Sequence, residues 1–269
     1  MKHRIQIALI ITLGALFLLF FQPWEFAGRE RVSGQEDGEM KQNTKDDIGG
    51  ASSQPQEERP YAGRIVVIDP GHGGKDPGKV GAAGLLEKDV NLQIALVLRE
   101  LLEEEGITVI MIREEDISLG DVSASNQKME DLKERLRLID ESGAELTVSI
   151  HQNSFADRSV CGPQVFFCRG SEEGERAATI LQEELNAGIG IGKERSRKED
   201  NSYYLLKHTS SVMVIAECAF LSNPEEESQL SDASYRRKVA ESLKKGILRY
   251  LDETENRKSE DAFFSGFLS

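Results

Sequence analysis

A chain of 269 residues has room for one ordinary catalytic domain with tails, and hardly for two. With 30% charged and 39% hydrophobic residues it suits a soluble globular body, and its net charge of -14 argues against a broad nucleic-acid surface, which needs clustered Lys and Arg. Cys161, Cys168 and Cys218 form no CxxC pair and leave an odd thiol, so no disulfide framework is expected, although Cys161 and Cys168 could pair if their strands approach.

Lys2, His3 and Arg4 precede an apolar run, residues 5–21, broken only by Gln6, Thr12 and Gly14. That is about the minimum length for crossing a bilayer, and positive charge ahead of it favours a cytoplasmic N-terminus. A cleavable signal peptide competes, but the best small residue, Ala27, has Glu25 at its minus-three position, a poor match. Residues 1–24 are therefore read as a membrane anchor or uncleaved signal that leaves the rest of the chain outside the cytoplasmic membrane. Residues 25–62, rich in Gln, Glu, Asp, Ser, Gly and Pro, cannot bury enough surface to offset their ordering entropy and read as a flexible tether.

Short apolar runs then alternate with helical patterns. Residues 65–68, 108–112, 146–150, 164–167 and 212–215 read as buried strands. Helical spacing links Val90, Ile94, Val97 and Leu101, with Gly106 as the stop, and recurs at Leu132, Leu136 and Ile139. It returns at Ala177, Ile180, Leu181 and Leu185, and at Tyr235, Val239, Leu243, Ile247 and Tyr250. This order predicts a single α/β domain over residues 63–251, a mostly parallel sheet flanked by helices, followed by a polar tail at 252–269. Function in such sheets gathers at the carboxyl ends of strands.

Three strands end on residues suited to metal chemistry. The first runs into His72, the third ends at His151, and the fifth ends at Glu217; Glu87 opens the helix after the first strand. Parallel neighbours would deliver all four groups to one sheet edge. Two imidazoles and one carboxylate are a catalytic zinc set with a fourth position left for water, and the spacing alone does not say which Glu is the ligand. The glycines around His72 fail as a nucleotide motif, because Asp76 stands where GxGxxG needs its third glycine and no GK[ST] follows. Neither HExxH nor HxxEH occurs. His208, beside Lys207 in a polar stretch, reads as a surface or supporting residue.

The blocks IVVIDPGHGGKDPG, EKDVNL, VSIHQN and VIAECAFLSNPEE, in that order, resemble the zinc N-acetylmuramoyl-L-alanine amidases (the Amidase_3 family) over residues 63–251. The resemblance implies a phosphorylase/hydrolase-like twisted sheet with a substrate groove across the metal. It implies that His72, Glu87 and His151 bind Zn2+ and that Glu217 is the general acid/base. Peptidoglycan is then the substrate, the bond cut is the amide between N-acetylmuramic acid and L-alanine, and an activator protein is an open question. Gln152 and Ala219 depart from residues often seen at those positions without touching a required group. The charged segment 126–137, together with a single anchor, is similar to the CwlD type of spore-cortex maturation, although such an enzyme could also serve vegetative growth. Arg113 and Asn153 are expected to brace loops rather than hold substrate. A zinc endopeptidase and a non-catalytic peptidoglycan-binding protein are the alternatives, the latter disfavoured because every metal and acid/base position is retained.

Overall fold

The structure, a computed structural model, describes residues 60–267 apart from 122, 191 and 193. The expected anchor and nearly all of the tether lie outside the described residues. In chain order the elements are β1 (Ile65–Pro70), α1 (Glu87–Glu104), β2 (Thr108–Met111), α2 (Gln127–Glu141), β3 (Leu146–Asn153) and β4 (Gln164–Phe167). These are followed by α3 (Glu172–Ile189), β5 (Lys198–Glu199), α4 (Tyr204–His208), β6 (Met213–Phe220), α5 (Pro224–Leu230) and α6 (Ala233–Phe267).

The strands form one six-stranded sheet in the order β2-β1-β3-β6-β4-β5. Pairing is parallel except between β4 and β6. The exception follows from connectivity: β3 reaches β4 through a loop without a crossover helix, so β4 returns in the opposite direction. Both β3 and β6 run beyond the expected ends, to Asn153 and Phe220, which puts His151 and Glu217 inside strands. The extension of β6 is driven by Cys218, Ala219 and Phe220, all buried.

Because strand side chains alternate, each strand feeds two cores. Val66, Ile68, Val148, Ile150, Val214 and Ala216 face α1, α3 and α6, whose stripes include Ile94, Leu98, Leu181, Leu185, Leu243 and Ile247. Val67, Met213 and Ile215 face the other way, against Ile139 of α2 and Leu205 and Leu206 of α4. The predicted helical stripes are the ones that pack. The exposed two-residue β5 and the short α4 and α5 carry no period long enough to read. The polar stretch from Asp252 is not a break, since α6 continues through it to Phe267. Among the described residues no helix is long and apolar enough to cross a membrane. Among the described residues Cys161, Cys168 and Cys218 form no disulfide.

One polar contact joins the layers next to the strand ends. Arg135, on the buried face of α2, is only 2% exposed, and Asp69 at the end of β1 is fully buried. The guanidinium donates to Asp69 Oδ1, to the Pro70 carbonyl at 2.9 Å, to the His72 carbonyl at 2.5 Å and to Asp131 at 2.6 Å. Ser149 of β3 donates to the other Asp69 oxygen at 2.6 Å. Removing one partner of such a pair leaves an uncompensated buried charge. Arg135→Ala should therefore destabilise the domain by about 3–5 kcal/mol, read from the denaturant midpoint, whereas Arg137→Ala on the exposed face of the same helix should leave that midpoint nearly unchanged.

Candidate active site

Alternation along β3 and β6 places Ser149, His151, Ile215 and Glu217 on the sheet face that α2 and α4 cover. His151 and Glu217 are register partners on adjacent strands. His72 comes from the loop after β1, and Glu87 is the first residue of α1. All four line one cleft of about 710 Å³. The structure thus brings together every residue the sequence nominated.

Three of them form a donor cluster. Glu87 Oε1 lies 3.2 Å from His72 Nε2 and 2.9 Å from His151 Nδ1, and all the donor atoms lie within 4.8 Å of one another. Around a tetrahedral ion with bonds of about 2.0–2.2 Å, donors stand roughly 3.3 Å apart, so this spacing fits one metal. The backbone approaches these donors closely at two glycines. A Cβ on Gly71 would come within 2.2 Å of the His151 ring, and one on Gly78 within 2.5 Å of Glu87 Oε2 and 2.6 Å of the His72 ring. His72 itself has φ +64°, a left-handed conformation that a non-glycine residue adopts only when its surroundings impose it.

The supporting contacts are dense. His72 Nδ1 meets Asp76 Oδ2 at 3.0 Å, which fixes the ring with Nε2 turned to Glu87. Glu87 Oε2 accepts from the Lys79 backbone at 2.7 Å, and Oε1 from the Gln152 backbone at 3.1 Å. Arg113 donates to the carbonyls of Pro70, Gly71, Lys88 and Glu115 at 2.8–3.1 Å, so it braces the loop as expected. Burial and the neighbouring Arg135 push its pKa down to about 10. Asn153 lines the cleft while accepting from the Ser154 backbone at 2.8 Å. His208 is exposed and lies against the Tyr204 ring, outside the site.

Environment separates the two glutamates. Burial alone would raise Glu87, but hydrogen bonds from His151 and His72 outweigh it and hold that carboxyl well below the usual range. Glu217 goes the other way: burial raises it, the charge of His151 offsets part of this, and Glu87 adds to the rise. Its Oε1 accepts from the Tyr203 hydroxyl at 3.1 Å, while its buried Oε2 has no partner among the described residues. A carboxyl raised towards neutrality, with one oxygen free, can take up a proton and give it back.

The family profile of N-acetylmuramoyl-L-alanine amidase (Amidase_3) matches residues 66–249. The chain belongs to that family. It is 42% identical over 197 residues to the germination-specific N-acetylmuramoyl-L-alanine amidase of Bacillus subtilis, covering 72% of this chain and 82% of the relative. Its fold is similar to the CwlD amidase from Clostridioides difficile, solved in complex with the GerS lipoprotein, at a TM-score of 0.68 and 36% identity, covering 70% of this chain and 98% of that one. AmiC2 of Nostoc punctiforme is also similar, at a TM-score of 0.62 and 30% identity over 71% of this chain and 99% of that one.

The amidase site includes residues that sequence reasoning did not single out. Asp76 was noted only for spoiling a glycine motif, yet it stands four residues after His72 and orients it. Arg135 lies on the stripe of Leu132, Leu136 and Ile139, and a charge on an apolar face was the available signal. Tyr203 gave no signal beyond being one of five tyrosines. The crowding at Gly71 supplies a test: Gly71→Ala should displace the His151 ring and lower the bound divalent metal per chain, measured by elemental analysis, while circular dichroism stays native.

Proposed function

We propose that this amidase is a zinc enzyme in which His72, Glu87 and His151 hold the ion and Glu217 is the general acid/base. The observation that carries the reading is the convergence of three nitrogen and oxygen donors beside a buried, unpartnered carboxylate oxygen of Glu217. Two imidazole nitrogens and one carboxylate, already held below its usual pKa, are the donor chemistry zinc takes. Zinc bound there would polarise the scissile carbonyl and acidify the attacking water.

The remaining steps belong to the chain's own residues. Glu217 accepts a proton as water attacks the lactyl carbonyl of N-acetylmuramic acid. It then delivers that proton to the nitrogen of L-alanine as the C–N bond breaks, leaving a carboxylate on the sugar and a free amine on the stem peptide. Asp76 and the Lys79 and Gln152 amides hold His72 and Glu87 in place throughout.

The same reading gives the enzyme its setting. Residues 1–24 anchor it to the cytoplasmic membrane, residues 25–62 tether it, and residues 63–251 with the tail at 252–269 act on peptidoglycan outside. The likeness to a germination-specific amidase supports a role in spore-cortex maturation. The CwlD structure with its lipoprotein supports an accessory protein as activator here as well.

Digestion of purified peptidoglycan should release stem peptides with a free amino group on L-alanine and leave the glycan strands intact, as read by mass spectrometry. New amines inside the stem would make the enzyme an endopeptidase instead, and wall binding without release, in the presence of membrane extract from its source, would make it a binding protein. Glu217→Gln should fold, keep its zinc and lose roughly a hundredfold or more in rate. Loss of zinc in that variant would make Glu217 a ligand.

A further inference from the structure

We propose that Tyr203 is a positioning residue for amide hydrolysis, its hydroxyl holding one oxygen of Glu217 so that the other is presented to the reacting water. The inference rests on the acid/base role proposed for Glu217. The terminal torsion of a glutamate is broad, so an untethered carboxylate turns over a wide range of angles and loses aim. In this cleft that range is narrowed: the Tyr203 hydroxyl donates to one oxygen, Oε1, at 3.1 Å, and the other, Oε2, has no partner among the described residues.

The position of Tyr203 is itself fixed by packing. It immediately precedes α4, where Leu205 and Leu206 are buried in the core that includes Met213 and Ile215 of β6. Its ring lies tilted against Phe166 of β4, with centroids 5.3 Å apart. The strand carrying Phe166 pairs with the strand carrying Glu217, so both ends of the hydrogen bond are held by the same two strands. Burial, and after it the charge of Glu217, push the phenol further above its ordinary pKa, which keeps it a donor. The adjacent Tyr204 rests against His208 instead. A general base gains rate from being held in the reacting geometry, and a hydrogen bond to a charged group is strong enough to hold it.

Tyr203→Phe keeps the ring against Phe166 and removes only the hydroxyl. With rates taken per folded, zinc-loaded full-length chain on a soluble muramyl-peptide substrate, kcat should fall about tenfold or more with KM unchanged. In the Glu217→Gln background, adding Tyr203→Phe should cause no further loss, because the hydroxyl acts through that carboxylate. An unchanged kcat, a change confined to KM, or losses that multiply in the double variant would each overturn the assignment. Full activity of Glu217→Gln alone would instead overturn the acid/base role. An inactive Glu217→Gln beside an unaffected Tyr203→Phe would overturn only the part given to Tyr203.

Discussion

The guanidinium of Arg135 holds together what the chemistry needs held. It enters from α2 and meets, in one buried place, the Asp69 carboxylate near the end of β1, the Pro70 carbonyl and the His72 carbonyl. Asp69 is bound in turn by Ser149 of β3, so the same contact ties the first strand to the third. A loop that carries a left-handed histidine is costly to hold and must be over-determined by its surroundings. Arg135 on one side and Arg113 on the other supply that constraint by donating to the loop's backbone carbonyls. Two buried cations against the same stretch would repel each other, and the depressed pKa of Arg113 reflects this after burial itself. Asp69 and Asp131 offset the charge of Arg135.

On that frame two glutamates a short distance apart acquire opposite tendencies. Glu87 sits between two imidazoles and two backbone amides, an environment that favours the ionised form. Glu217 is just as buried but has one phenol for company, and desolvation dominates. Environments that push paired carboxyls apart assign one to charge and the other to proton transfer. The division requires no special residue type, only different neighbours. The parallel β3–β6 pairing makes it reliable, because His151 and Glu217 are opposite each other in register and a one-residue slip of either strand would turn its own residue to the wrong face.

The amino-acid sequence by itself determined the layered α/β architecture, the core stripes and the four residues that meet in the cleft. Each is written locally: apolar period for the helices, β-branched runs for the strands, and His72, Glu87, His151 and Glu217 in blocks that keep their order. The family, too, is legible in those blocks. Tertiary structure alone decided the rest. Asp131 and Arg135 form a local pair four residues apart on α2, but Asp69 lies far from both in the chain, and only the docking of α2 against β1 brings it into the cluster. Tyr203 meets Glu217 because a five-residue helix packs on β6, and so short a helix leaves no period in the sequence. The true ends of β3 and β6 were likewise set by packing, since a strand stops where its neighbours stop offering partners rather than where a polar residue first appears. Residue identity names the donors, but the distances between them depend on contacts between distant segments.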